Sequence, residues 1–245
     1  MIPPIIHKSW HPIIGKYFLD DRWKKIATYF KKEVQSGTVI CPNLPDVFRT
    51  FSFNASDVKV IIVGLSPYQK IEDSKRIATG LAFGTPGKEY DTESLKIIRE
   101  ALYHQYCEVA VEFFFDYTLE YWLNQGVLLL NRILTVTANT TNSKEHLHIW
   151  KEFIRDISYT ISLYNPTIIW AFLGSEAKLL VEDVDSHNIV CATHPVYTYY
   201  QLRKNGYDES KVDHFKHESF FLEIDKLTEK IYNNKIDWIG YDRPR

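Results

Sequence analysis

Apolar residues recur along this chain in two rhythms. Val58, Val60, Ile61, Ile62 and Val63 make a short continuous run that stops at Gly64 and gives way to the loop Leu65, Ser66, Pro67, Tyr68, Gln69. A run of that length bounded by glycine and proline predicts a strand buried on both faces. The same pattern returns in residues 127–136 (VLLLNRILTV, interrupted by Asn131), 167–173 (TIIWAFL, closed by Gly174 and Ser175) and 189–192, which is followed by Thr193, His194 and Pro195. Between these runs the rhythm is helical. Trp23, Ile26, Ala27, Phe30 and Val34 share one face of residues 20–34, with Lys24, Lys25, Lys31 and Lys32 on the other, which reads as a solvated face. Further helices are predicted over 91–101, behind a start signal at Thr92, and over 119–123, 150–163, 176–180 and 214–232. Residues 107–115 are rich in aromatics, and Phe83 centres a short apolar piece bounded by glycines.

Four strands that each end in a polar punctuation, with helices between them, predict an α/β fold with a mainly parallel sheet. Its carboxyl edge would gather those punctuations into one cleft, where open α/β sheets bind their ligands. The loop after Gly64 is therefore the first candidate for chemistry, against the plainer reading that Gly-x-x-Pro only punctuates a strand. Asn131, a polar amide at the end of a buried strand, either satisfies backbone groups or reads a ligand.

Composition narrows the classes. At 245 residues, 45% apolar and 15% aromatic, the chain predicts a single domain over 1–245 with a large core. Cys41, Cys107 and Cys191 lie far apart with no C-x-x-C pair, which argues against a zinc site, an iron–sulfur cluster or a disulfide framework and fits an intracellular, reducing setting. The first residues are broken by prolines and no apolar run suits a bilayer, so neither a signal peptide nor a membrane is expected. A net charge of −2 carries no general signature of nucleic-acid binding, so such a partner must be gripped by a local patch. There is no G-x-G-x-x-G or Walker A loop, which weakens a dinucleotide or nucleotide reading. No cofactor and no metal is expected.

Taken in order, QSGTVICPNLPDVFRTF into DVKVIIVGLSPYQ, then GLAFGTP, LEYWLNQGVLLLNRILTV, the Asn142-Ser143 segment, LGSEA, the Thr193-His194-Pro195 turn, His214-Phe215 and the closing Ile236-Asp237-Trp238 resemble the family 1 uracil-DNA glycosylases over nearly the whole chain. The resemblance implies a three-layer α/β/α sandwich around a four-stranded, mainly parallel sheet. It also implies a monomeric, metal-free enzyme that flips a pyrimidine out of duplex or single-stranded DNA and hydrolyses its glycosidic bond. Carried across by position, Phe83 stacks on the base, Asn131 reads its Watson–Crick edge and Tyr68 excludes a methyl group at C5. His194 donates to O2 of the departing base. Gly174, Ser175 and Ser94 hold phosphates through backbone and hydroxyl donors.

The departures from the family sit in its catalytic loop. Where the family reads G-Q-D-P-Y-H, this chain has Gly64-Leu65-Ser66-Pro67-Tyr68-Gln69, so the water-positioning aspartate is Ser66 and the glutamine beside the base is Leu65, which keeps its backbone N–H. Ser66 can orient a water but is a poor base at neutral pH. The family's H-P-S-P-L-S has become His194-Pro195-Val196-Tyr197-Thr198-Tyr199, which leaves Tyr197, Thr198 and Tyr199 as the expected DNA contacts there, with Tyr197, Tyr199 or Tyr200 stacking where serines and a leucine are lost. Two classes follow. One is a glycosylase for uracil or a modified pyrimidine, serving repair or defence against foreign DNA. The other is a weak or inactive homologue that binds DNA or a protein.

Overall fold

The computed structural model describes residues 1–107 and 115–240. Its centre is a parallel sheet of β1 (Val60–Gly64), β2 (Val127–Asn131), β3 (Ile169–Leu173) and β4 (Ile189–Ala192), in the order β2-β1-β3-β4. Side chains alternate across it. Ile61, Val63, Leu128, Leu130, Trp170 and Phe172 pack into one core, and Val60, Ile62, Val127, Leu129, Ile169, Ala171 and Leu173 into the other. A parallel sheet covered on both faces needs apolar residues at every position, and this is why the strands show as unbroken runs in the sequence.

Among the described residues, five helices of ten residues or more supply most of the outer layers: α1 (Asp21–Gln35), α2 (Glu93–Tyr106), α3 (Leu147–Tyr164), α4 (Pro195–Lys204) and α5 (Phe220–Tyr232). Ile26 and Phe30 of α1 and Trp150, Phe153, Ile154, Ile157 and Ile161 of α3 fill the first core. Leu95, Ile98 and Leu102 of α2 and Phe220, Phe221 and Ile224 of α5 fill the second. The result is the α/β/α sandwich expected. Asp20 caps α1 by accepting the Trp23 N–H at 3.0 Å, and Thr92 caps α2 by accepting that of Leu95 at 3.3 Å. On the second face, the buried Asp225 carboxylate accepts from Tyr106 Oη at 2.7 Å and Trp238 Nε1 at 2.8 Å, tying α2, α5 and the last described residues together.

Three expectations change. The run 127–136 is not one strand: β2 ends at Asn131, the next two N–H groups, of Arg132 and Ile133, donate to Gly64 and Leu65 carbonyls, and Val136–Thr137 pairs antiparallel with Ile40–Cys41. The last helix starts at Phe220 rather than at residue 214, because the His214 ring accepts the Lys216 N–H and closes a separate turn. The helix expected over 176–180 is a single turn, Ser175–Lys178. The aromatic stretch 107–115 lies, apart from Cys107 and Phe115, outside the described residues.

Ile61 is fully buried in the central strand. Ile61→Ala is expected to cost about 2–5 kcal/mol in urea denaturation, and a loss below about 1 kcal/mol would contradict its place between the layers.

Candidate active site

Because all four strands run the same way, their carboxyl ends meet at one edge. Gly64 and Asn131 are register partners at the ends of β1 and β2, and Leu173 and Ala192 pair at the ends of β3 and β4. The segments that follow line a cleft of about 640 Å³ containing Leu65, Ser66, Tyr68, Phe83, Ser94, Asn131, Gly174, Ser175 and His194. A larger cavity of about 770 Å³ lies against Arg99, His104, Lys216 and His217, but Arg99 and Lys216 there are paired with Asp91 and Glu209.

Two glycines let the cleft close to this size. A Cβ on Gly64 would stand 2.8 Å from Asn131 Oδ1 and 3.1 Å from a Phe83 ring carbon. Gly174 has φ +93°, and a Cβ there would stand 2.8 Å from that of His194. The side chains that the sequence nominates thus press directly on backbone that has no side chain of its own.

Tyr68 is held by a directed chain of hydrogen bonds. Its hydroxyl donates to the Phe83 carbonyl at 3.2 Å and lies 2.8 Å from Thr92 Oγ1, which itself accepts the Leu95 N–H. With Tyr68 donating to Phe83, Thr92 must donate to Tyr68. Burial pushes the phenol far above its usual pKa, so it is neutral and fixed. Phe83 adopts a left-handed backbone at φ +65° and sets its ring 5.7 Å from that of His194. A non-glycine residue in that conformation is costly and is tolerated where the surroundings over-determine it.

Asn131 is 7% exposed, and among the described residues its side-chain amide has no hydrogen-bond partner. The alternative left open by the sequence, that it satisfies backbone groups, is not what the structure contains. One donor pair and one acceptor face the cleft unpaired. His194 caps α4: its Nδ1 accepts the Val196 N–H at 3.2 Å, and burial lowers its pKa to about 4. The ring is therefore neutral with its proton on Nε2, a donor. Ser66 and Gln69 also line the cleft, with no side-chain hydrogen bond among the described residues. Of the cleft's carboxylates, Glu93 pairs with Lys96 at 3.4 Å and Glu176 with Lys144 at 2.6 Å and Arg132 at 3.5 Å. The chemistry on offer in this cleft is that of neutral donors and acceptors, the charged groups of its wall, Lys70, Glu93 and Glu176, being held in ion pairs.

Not every nominated residue converges. Thr198 is fully buried and its hydroxyl accepts the Phe215 N–H at 3.0 Å, so it holds α4 to the fold and faces away from solvent, contrary to its expected role as a DNA contact. Tyr197 is exposed and Tyr199 half-buried, both outside the cleft lining, whereas Val196 and Tyr200 are within it. Gln69, Thr92 and Ser143 also line the cleft. Thr92 showed in the sequence only as a helix start, because its bond to Tyr68 spans 24 positions.

Comparison with known proteins agrees with this architecture. The family model for the uracil DNA glycosylase superfamily matches residues 51–217. A uracil-DNA glycosylase of Buchnera aphidicola subsp. Acyrthosiphon pisum is 34% identical over 197 residues, covering 76% of this chain and 83% of that one. That of Mycoplasmopsis pulmonis is 30% identical over 226 residues, covering 91% of each. The crystal structure of mimivirus uracil-DNA glycosylase superposes with a TM-score of 0.80 at 20% identity, over 96% of this chain and 87% of that one, a likeness of fold.

The His194 geometry fixes a pH dependence. Its folded pKa of about 4 lies below the unfolded value of about 6.5, so between these the unfolded chain binds a proton that the folded chain does not. The stability tied to the neutral ring is complete above about pH 6.5 and is lost as pH falls towards about 4. Buried His214, also lowered to about 4, adds to the loss in the same window. An NMR titration of the His194 ring is expected to show a midpoint near 4; a midpoint near the ordinary histidine value would place the ring in solvent.

Proposed function

Since this chain belongs to the uracil DNA glycosylase superfamily, we propose that it is a DNA glycosylase that takes a flipped-out uracil nucleotide and leaves an abasic site. The observation that carries this reading is the unpaired amide of Asn131, which matches the donor and acceptor of a pyrimidine's Watson–Crick edge. Phe83 offers its face to the ring. The clamp on Tyr68 by Thr92 and Phe83 favours uracil over a pyrimidine carrying a bulky C5 substituent, because the phenol cannot swing aside without breaking two buried hydrogen bonds.

In the proposed reaction the C1′–N1 bond breaks with its electron pair leaving on the base, and water adds to the sugar cation and loses a proton to solvent. His194 Nε2–H donates to O2 of the departing anion. A donor already held in place by its own hydrogen bond stabilises that charge without reorganisation. Ser66 and Gln69, the free polar side chains of the loop, orient the water. Neither is a base, so attack follows bond cleavage rather than driving it. Ser175, exposed at the cleft mouth, and the backbone of Gly174 beside it are the proposed phosphate contacts, whereas Ser94 is 6% exposed and stands against the buried Tyr68 hydroxyl, contrary to its expected role as a phosphate contact.

A second reading, a DNA-binding module without catalysis, draws on one observation: both carboxylates of the cleft wall are engaged in ion pairs and none stands free beside Ser66. Release of uracil from a uracil-containing oligonucleotide under single-turnover conditions separates the two. Wild type is expected to release uracil, with His194→Ala slower by roughly 10²–10³-fold and Asn131→Ala by at least about a hundredfold. Ser66→Asp is expected to raise the rate by at least about tenfold, through a charge that both orients the water and faces the sugar cation. No release by wild type or by Ser66→Asp would leave the binding module; release unaffected by Asn131→Ala would refute the pocket.

A further inference from the structure

Arg132 is the one lysine or arginine buried among the described residues, and it interrupts the apolar run directly after Asn131. A guanidinium keeps its charge at any ordinary pH, so its burial is costly unless its donors are met. The partners it finds are therefore informative. Its backbone N–H donates to the Gly64 carbonyl at 2.9 Å, and its side-chain Nη1 donates to the Glu176 carbonyl at 2.9 Å. In the strand order β2-β1-β3, this one residue joins three strand ends: that of β2, which it follows, that of β1 through Gly64, and the turn Ser175–Lys178 behind β3.

The Glu176 carboxylate adds less to this tie than its carbonyl does. Its Oε2 lies 3.5 Å from Arg132 Nη1 and its Oε1 2.6 Å from Lys144 Nζ, but Glu176 is 32% and Lys144 47% exposed, and ion pairs so open to water are weak. A buried charged donor on a carbonyl is the stronger bond. What it holds is the backbone on which His194 rests. The Lys178 N–H donates to the Gly174 carbonyl at 3.1 Å, so the turn is braced as a unit. Gly174 at its start lies so close to His194 that a Cβ there would stand 3.3 Å from the ring carbon Cδ2. Arg132 is thus bonded directly to Asn131 on one side and, through two residues of backbone, supports His194 on the other.

We propose that Arg132 is a positioning residue: it ties the turn after β3 to the end of β2 and so holds His194 at a fixed place relative to Asn131. That His194 meets a departing base rests on the glycosylase reading above, whereas its placement is read without substrate. With the tie cut, the turn is free to draw back from the ring and admit water to it. NMR titration of the histidine rings in wild type and three variants reads this. Wild-type His194 and His214 are both expected to titrate at about 4. In Arg132→Met, which fills a similar volume without a donor, the His194 midpoint is expected to rise by at least about one unit, because the ring regains solvent. His214, packed against Glu100 of α2, is expected to stay where it was. Arg132→Lys keeps a cationic donor for the Glu176 carbonyl and is expected to restore most of the wild-type midpoint. Glu176→Gln keeps the carbonyl bond and is expected to leave the midpoint unmoved. Single-turnover release of uracil at saturating protein is expected to slow by roughly tenfold in Arg132→Met, as a displaced donor would make it.

An unmoved His194 midpoint in Arg132→Met would overturn the proposal. So would a rise shared by His214, which reports a general loosening of the fold, or a rise mirrored by a fall in Glu176→Gln, which reports charge rather than position. A wild-type His194 already titrating at the ordinary histidine value would overturn it too. The titration and the release assay keep the two readings apart. A selective rise in a protein that releases no uracil upholds the placement and refutes the glycosylase, and release by a protein whose His194 midpoint does not respond to Arg132→Met does the reverse.

Discussion

The site depends on one pairing in the sheet, that of Gly64 with Asn131 at the carboxyl ends of adjacent parallel strands. It sets the loop carrying Ser66, Tyr68 and Gln69 beside the amide of Asn131, and the missing Cβ of Gly64 lets both that amide and the Phe83 ring lie on the strand end. The Arg132 and Ile133 N–H groups, donating to the Gly64 and Leu65 carbonyls, carry the pairing past the end of β2 and fix the start of the loop. A shift of one residue in that register would turn Asn131 to the opposite face of the sheet. The two buried cores on either side of the sheet exclude such a shift, since it would expose β2's apolar side chains to the wrong layer.

Around that pairing the cleft is built from neutral groups. Burial keeps His194 unprotonated and Tyr68 un-ionised, and the carboxylates of the wall are spent on Lys96, Lys144 and Arg132. Against partly buried groups such as these, fixed dipoles act more strongly than in bulk water, because the local dielectric is lower. For the proposed reaction this means that help is concentrated on the leaving base, through His194, rather than on the water. Ser66 in place of a carboxylate shifts the balance further in that direction. On the outside, the same strand-to-helix turn that aims His194 inward starts α4, so the pocket and the first turn of that helix are positioned by one element.

Much of this was legible in the sequence, for a physical reason: strands buried on both faces are written as unbroken apolar runs, and their ends as abrupt polar breaks. β4 falls where the pattern puts it, and Asn131, Gly174 and His194 converge as the parallel order requires. What was not legible depends on contacts distant in sequence. The bond from Thr92 to Tyr68 and the proton position on His194 leave no local periodicity. Thr198 was misplaced because residues 195–204, to which the sequence pattern assigned no element, wind into a helix, and a helix shows only one face: Tyr197 and Tyr200 outward, Thr198 against Phe215. The start of α5 was set by a histidine closing its own turn, a preference that apolar spacing does not record.

The most direct test of the account is alkali-revealed strand cleavage of otherwise identical oligonucleotides carrying a single uracil, thymine or C5-hydroxymethylated cytosine, incubated with the wild-type protein and with His194→Ala. The account predicts cleavage at uracil alone, lost in the variant. Cleavage at a C5-substituted base with uracil left intact would contradict the fixed position of Tyr68, and no cleavage at any base would contradict the assignment of the cleft as a hydrolytic site.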